Sequence, residues 1–310
     1  YEKAEDLYKK SLDMFNEVEK LPSFERALLI DAYGTLLADI GNYERSEQLT
    51  EEALKIAESI KGSDDTQVAE IKNNLATSYN YLNKLDEAEK LYNESLIVFR
   101  KHFGEYHLRV SSVINNLAFI HIFREDHQKA IPLLLESLNI KLKVLGESHP
   151  DLILAYSNVG STYFNISDFT NAEKFMKESV NVGLKNYDED NINLSRSYMW
   201  YGRVLDANKN YKESIYYLNK AYLIRKKEFG EKNKLTLITQ SLYGQTNLNA
   251  GNYNEAEQHL VASYNGLKEI SGNENKTTQK TLALLIELYK KLNKKEMVNS
   301  YSKLIAEKEN

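Results

Sequence analysis

Cysteine is absent from the chain. Its absence excludes a disulfide framework, thiolate zinc sites, iron–sulfur clusters and a cysteine nucleophile in this segment. Proline is nearly as scarce, with 3 residues, and with 13 glycines the two make up 16 of 310 positions. That is less than half of the roughly 12% in an average protein. So few breakers leave little room for tight turns, which argues against a β-sandwich, a barrel or a chain rich in glycine loops. No apolar run approaches the roughly 18 residues of a membrane span. Charge of one sign is lacking too: 40 basic residues stand against 45 acidic ones, a net charge of −5. Phosphate binding needs a concentrated basic surface, so nucleic acid is not an expected partner, and neither is a membrane.

What is present is 42% hydrophobic and 27% charged, the make-up of a folded soluble chain long enough to bury sizeable cores. No secretory signal opens the chain, and residue 1 is Tyr rather than Met. The expectation is a processed or excised segment of a longer cytoplasmic protein.

A repeat organises the sequence. Small residues recur at Ala4, Ser46, Ala88, Ala130, Ala172, Ser214 and Ala256, always 42 apart. The same step links Gly34, Ala76, Ala118, Gly160, Gly202 and Gly244, and again Ser11, Ala53, Ser95, Ser137, Ser179, Ala221 and Ser263. Another phase holds Gly62, Gly104, Gly146, Gly230 and Gly272, with Asp188 in the missing slot. Within a unit the apolar spacing is helical. Ile71, Leu75, Ala76, Tyr79 and Leu82 form one stripe. After Asn83 and Lys84, Leu85, Ala88, Leu91, Tyr92, Ser95, Leu96 and Phe99 form another. Each unit therefore reads as helix, tight turn, helix and linker, the linker glycine suiting a helix C-terminus. Gly160 and Ala172 fall where the two helices of one hairpin cross, and Ser179 plays the same part toward the next hairpin. A single hairpin cannot bury its own faces, but a stack of them can, which makes a solenoid.

At these residues the chain resembles the tetratricopeptide repeat. Asn74-Leu75-Ala76, Tyr79, Ala88, Tyr92 and Ser95 match its spacing. The 42-residue unit, the runs Asn73 to Ala76 and Asn115 to Ala118, and the linker Leu145 to Pro150 are similar to the kinesin-light-chain-like subclass. The resemblance implies an all-α, right-handed superhelical α-solenoid of antiparallel helix hairpins, about seven of them plus one leading helix. It would run as a single solenoid over 1–310: a truncated repeat's second helix over 1–22, repeats from near 24, 66, 108, 150, 192 and 234, and a divergent lysine-rich cap hairpin over 276–310.

Candidate chemistry is sparse. His121 shares the phase of Tyr79 and Tyr163, which suits a core aromatic, and His149 lies in a linker as a helix cap. No metal-ligand spacing accompanies the six histidines, and Asp188-Glu189-Asp190 lacks the alternating ligands of a calcium loop. No cofactor, metal or catalytic residue is expected, and the segment does not read as an enzyme.

The face of the first helices is the better candidate. Arg196, Met199, Trp200 and Arg203 form an i, i+3, i+4, i+7 stripe apart from the packing stripe. At the Trp200 phase the preceding hairpins carry Asn158, Asn116 and Asn74; at the Met199 phase they carry Ser157, Asn115 and Asn73, and then Asp31 as a departure. Amides both donate to and accept from a peptide backbone. The alternative is an Asn-rich composition: 31 Asn, and 32 Lys to 8 Arg. In the family this face lines a concave, peptide-binding groove. The resemblance therefore implies Asn73, Asn74, Asn115, Asn116, Phe119, Ser157, Asn158, Arg196, Trp200, Arg203 and Gln245 as contact residues. Arg196 and Arg203 can hold carboxylates and Trp200 offers a stacking surface. The family's kinesin members take peptides with a Trp beside acidic residues, so the resemblance implies an acidic, aromatic segment of a protein partner as the ligand. The leading expectation is an adaptor or scaffold module. The sensor or autoinhibitory arm of a larger enzyme, possessing domains of the same parent chain as partners, comes second, and a peptide-pheromone-sensing regulator third.

Overall fold

The computed structural model describes residues 2–18 and 23–306. Its helices are α1 (Glu2–Val18), α2 (Phe24–Asp39), α3 (Tyr43–Lys61), α4 (Thr66–Tyr81), α5 (Leu85–Phe103), α6 (Leu108–Phe123) and α7 (His127–Leu145). They continue with α8 (Asp151–Asn165), α9 (Phe169–Asn186), α10 (Ser195–Ala207), α11 (Tyr211–Phe229), α12 (Lys234–Ala250), α13 (Tyr253–Ser271), α14 (Lys276–Lys291) and α15 (Lys295–Ala306). A short 3-10 turn, Ile192–Leu194, leads into α10, and the described residues contain no strand. Seven antiparallel hairpins thus follow one leading helix, as the small-residue phases require. Residues 1 and 19–22 of the expected leading segment, and 307–310 of the last hairpin, lie outside the described residues.

The joint inside each hairpin is built the same way every time. Gly41, Asn83, Glu125, Ser167, Lys209, Gly251 and Asn293, one per period, all have positive φ, between 56° and 84°. The N–H of the following residue reaches back to a carbonyl five positions earlier, for example Lys84 to Tyr79 at 2.8 Å, Asp126 to His121 at 2.8 Å and Asn210 to Leu205 at 2.8 Å. This left-handed closure satisfies the last carbonyls of the first helix. In six of the joints that donor is also the N-cap of the second helix; in Asn42, Asp126 and Asp168 its side chain accepts from the backbone N–H three residues on. Two residues therefore end one helix and begin the next.

The chain divides into two compact units, residues 1–146 and 147–310. In the first, α2 packs on α3, α4 on α5 and α6 on α7, while α3 packs on α4 and α5 on α6. First helices also touch one another, α2 with α4 and α4 with α6, and so form a layer of their own. In the second unit α8, α10, α12 and α14 make the equivalent layer.

Small residues set the approach of the paired helices. A Cβ added at Gly160 would sit 3.2 Å from the Ala172 carbonyl, and one at Gly202 would sit 2.6 Å from Leu218 Cγ. The serine phase does more than stay small. Ser179 is fully buried, and its hydroxyl lies 2.8 Å from Ser157 Oγ and 2.7 Å from Ser197 Oγ, tying α9 to α8 and α10. In the first unit Ser111 and Ser137 Oγ lie 2.8 Å apart, and so do Ser46 and Ser78. Around these pairs the cores are apolar and aromatic: Tyr92 and Phe99 in the first unit, Leu152, Met176 and Tyr198 in the second, each at most 1% exposed. Burial of such side chains is the main driving force for stacking.

Candidate functional site

In the first unit, the expected face on α4 and α6 is a set of cross-hairpin hydrogen bonds. Asn116 Nδ2 donates to Asn73 Oδ1 at 3.2 Å, and Asn74 Nδ2 donates to Asp31 Oδ2 at 3.0 Å. Each link spans one period plus one residue, so these amides bind repeat to repeat. Asn73, Asn74, Asn115, Asn116 and Phe119 are all half-buried and retain surface on the layer of first helices. Asp31 is buried, with Oδ1 left unpartnered. Desolvation raises its pKa to about 6, against the hydrogen bond from Asn74 and reinforced by the charge of Glu70.

In the second unit, helix α10 brings Arg196, Trp200 and Arg203 together on one face. The Arg203 guanidinium lies 4.0 Å from the centroid of the Trp200 ring and 4.8 Å from that of Phe164 on α8. Phe164 and Trp200 meet edge to face at 5.8 Å. The result is a cation held between two aromatic rings. Beside it a recess of about 210 Å³ is lined by Arg203, Gln245, Asp206 and the apolar Phe164, Leu218 and Leu242. The structure thus joins Arg203 to Gln245 across α10 and α12. Asp206 in the same recess is tied to α12 by Asn249 Nδ2, 3.0 Å from each carboxylate oxygen, while burial raises its pKa.

Arg196 is exposed and donates to Asn158 Oδ1 on α8 at 3.5 Å. Ser157 is placed differently from its neighbours: it is 1% exposed, its hydroxyl meets Ser179, and it presents no surface to a ligand. Asn158 is buried beside it, at 5% exposure.

Charge pairing differs along the chain. In the first unit Arg26 pairs with Glu52, Arg100 with Glu105 and Glu136, Arg109 with Glu70, and Arg124 with Asp86 and Glu89, while Arg45 donates to Gln48. In the second, Arg196, Arg203 and Arg225 have no carboxylate within ion-pair distance among the described residues. Desolvation lowers the pKa of all three, for Arg225 to about 10, with the charge of Arg196 adding to the effect. All remain protonated at neutral pH. Positive charge that is desolvated and lacks an internal counter-ion is what a site for an acidic group requires.

Two histidines act as helix caps. His149 Nδ1 accepts from the Asp151 N–H at 3.1 Å, and His107 Nδ1 from the Arg109 N–H at 3.1 Å, each capping a first helix. In the linker, Glu189 pairs with Lys220 and Asp190 with Lys227. No described helix is long and apolar enough to cross a membrane.

The tetratricopeptide repeat family matches residues 24–101, 109–185 and 193–269, and the chain belongs to it. Repeats of this family are protein–protein interaction modules that take protein or peptide partners. No curated protein matches the sequence. Among solved structures, the chain is similar to the tetratricopeptide-like repeats of a kinesin light chain from Podosopora anserina, with 18% identity, TM-score 0.58, and 66% of this chain and 96% of that one covered. It is also similar to the apo quorum sensor NprR from B. thuringiensis, with 17% identity, TM-score 0.72, and 100% and 84% covered. A signal transduction ATPase from Pyrococcus horikoshii with a tetratricopeptide repeat sensor gives 16% identity, TM-score 0.72, and 97% and 43% covered.

Proposed function

We propose that this chain is an adaptor module whose second unit binds an extended, acidic and aromatic protein segment on the α10 face. One observation carries the reading: Arg203 is packed between Trp200 and Phe164, desolvated and without a carboxylate of its own. A ligand carboxylate supplies the missing counter-ion, a ligand aromatic side chain packs on Trp200 or enters the adjoining recess, and Gln245 bonds its backbone. In the first unit, Asn73, Asn74, Asn115, Asn116 and Phe119 offer the same kind of backbone contact.

The test is calorimetric titration of acidic, Trp-containing peptides into the chain and into its Arg203→Ala and Trp200→Ala variants. Each substitution should weaken binding about tenfold or more, the loss of one desolvated hot-spot contact. Equal binding by the parent and both variants would refute the assignment. A second reading, a sensor arm within a larger signalling enzyme, is favoured by the similarity to the Pyrococcus horikoshii ATPase, of which the matched part is 43%. The two are compatible, because a sensor arm also needs a ligand-binding face.

A further inference from the structure

The recess between α10 and α12 carries charge of both signs. Arg203 and Asp206 both line it, three residues apart on α10. Side chains at that spacing start about 5–6 Å apart at Cβ, and opposite charges there ordinarily pair. These two do not, and neither has any ion-pair partner among the described residues. Each is drawn elsewhere. The Arg203 guanidinium lies on the rings of Trp200 and Phe164, 4.0 and 4.8 Å from their centroids. The Asp206 carboxylate turns to α12, where Asn249 Nδ2 lies 3.0 Å from both oxygens and Thr246 adds a hydrogen bond. Burial pushes both toward their neutral forms, the carboxyl upward and the guanidinium downward, and neither charge offsets the shift of the other. Two opposite charges are thus desolvated in one recess, each without a counter-ion. The remaining walls include Phe164, Ala207, Leu218 and Leu242, with Leu218 fully buried. The volume of about 210 Å³ would hold several water molecules.

We propose that this recess binds a free α-amino acid with an aliphatic side chain of about the size of leucine, its carboxylate on Arg203 and its ammonium on Asp206. A zwitterion brings one charge to each unpaired group, which a neutral or singly charged molecule does not. Its ammonium and carboxylate lie about 3 Å apart. A charge-assisted hydrogen bond of about 2.8 Å at each end lets it bridge two groups too distant to pair directly. Arg203 keeps its aromatic contacts while doing so, because a guanidinium stacks through its face and donates through its edge. Asp206 has room for the ammonium, since an ionised carboxylate offers about four acceptor sites and Asn249 and Thr246 fill only part of them. The aliphatic side chain packs against Leu218 and Leu242. This site does not rest on the peptide reading, but it shares Arg203 with it, so the two ligands compete.

Trp200 is the one tryptophan of the chain and stacks on Arg203, so its fluorescence reports the site directly. The test titrates L-leucine, L-leucinamide and 2-hydroxy-4-methylpentanoate, the last two of the same skeleton but lacking the carboxylate or the ammonium. Calorimetry runs in parallel with the fluorescence. L-leucine should give a saturable response with a Kd of about 1 mM or below, and each analogue should bind about tenfold more weakly or worse. Asp206→Asn should lose the preference for leucine over the hydroxy acid and keep that over leucinamide. Arg203→Ala should do the reverse, a crossed pattern that a merely structural role would not produce. The proposal is overturned if the parent gives no saturable response to leucine, if it binds either analogue as well as leucine, or if both variants keep the parent's selectivity. A thermal melt identifies a variant that fails to fold, and the parent's discrimination among the three ligands then decides. The peptide titrations use other ligands, so either reading can fail while the other stands.

Discussion

Replacing Asp31 by Asn tests the electrostatics of the first unit most directly. Asp31 is 8% exposed, its Oδ1 has no partner, and Glu70 adds a like charge. Its pKa rises from 3.8 to about 6, mainly through desolvation, so the native chain holds the proton more tightly than the unfolded chain does. Below pH 4 both states are protonated and the residue costs nothing. Between about pH 4 and 6 the unfolded chain ionises first, and the native state loses ground until it ionises too. Above that window the penalty is complete. Two pKa units at 1.36 kcal/mol each make it about 3 kcal/mol. An asparagine keeps an oxygen for Asn74 Nδ2 and has no charge to desolvate. The Asp31→Asn variant should therefore be about 3 kcal/mol more stable than the parent at pH 8, with the gain fading to nothing by pH 4. Urea denaturation followed by circular dichroism at pH 4, 5, 6, 7 and 8 measures this directly, since all other titrating groups cancel in the difference. A variant no more stable than the parent at pH 8, or a gain unchanged from pH 8 to pH 4, would refute the account.

Two further substitutions probe packing and backbone. Gly202→Ala places a methyl group 2.6 Å from Leu218 Cγ and 3.3 Å from the Leu218 amide nitrogen. It should destabilise by about 1–2 kcal/mol despite alanine's better helix propensity, seen as a lower denaturation midpoint. Glu125→Gly relieves a left-handed residue at φ 59°. It should stabilise by about 0.5–1 kcal/mol in the same assay, because glycine meets no Cβ penalty there. A drop in stability would show that the Glu125 side chain contributes more than its backbone costs.

The helical repeat was legible because a helix crossing tolerates no large side chain, so the constraint falls on residue size at fixed spacing. The serines at Ser137 and Ser179 read as small, but their hydroxyl pairing across helices did not, since it depends on which hairpin lies opposite. The turn residues were half hidden. Gly41 and Gly251 announce a left-handed position; Glu125, Ser167 and Lys209 adopt it against their preference because the flanking helices impose it. At the site, the stripe Arg196, Trp200 and Arg203 lies within two turns of one helix and could be read directly. Ser157 could not be placed, since its one-residue offset from Asn158 turns its hydroxyl toward Ser179. The buried Arg225 gave no signal in the sequence, since Lys141 occupies the same phase two periods earlier.

The shared two-residue joint bears on how such a chain changes length. Lys209-Asn210 and Gly251-Asn252 hold the same backbone conformation and the same capping duty. Removal of the 42 residues 210–251 would set Lys209 directly before Asn252, and the seam would be another joint of the same kind. That cut discards Arg225 and Gln245 yet leaves Arg196, Trp200 and Arg203 in place. Recombination between joints can therefore add or delete whole periods, and trade one first-helix stripe for another, without inventing a new turn.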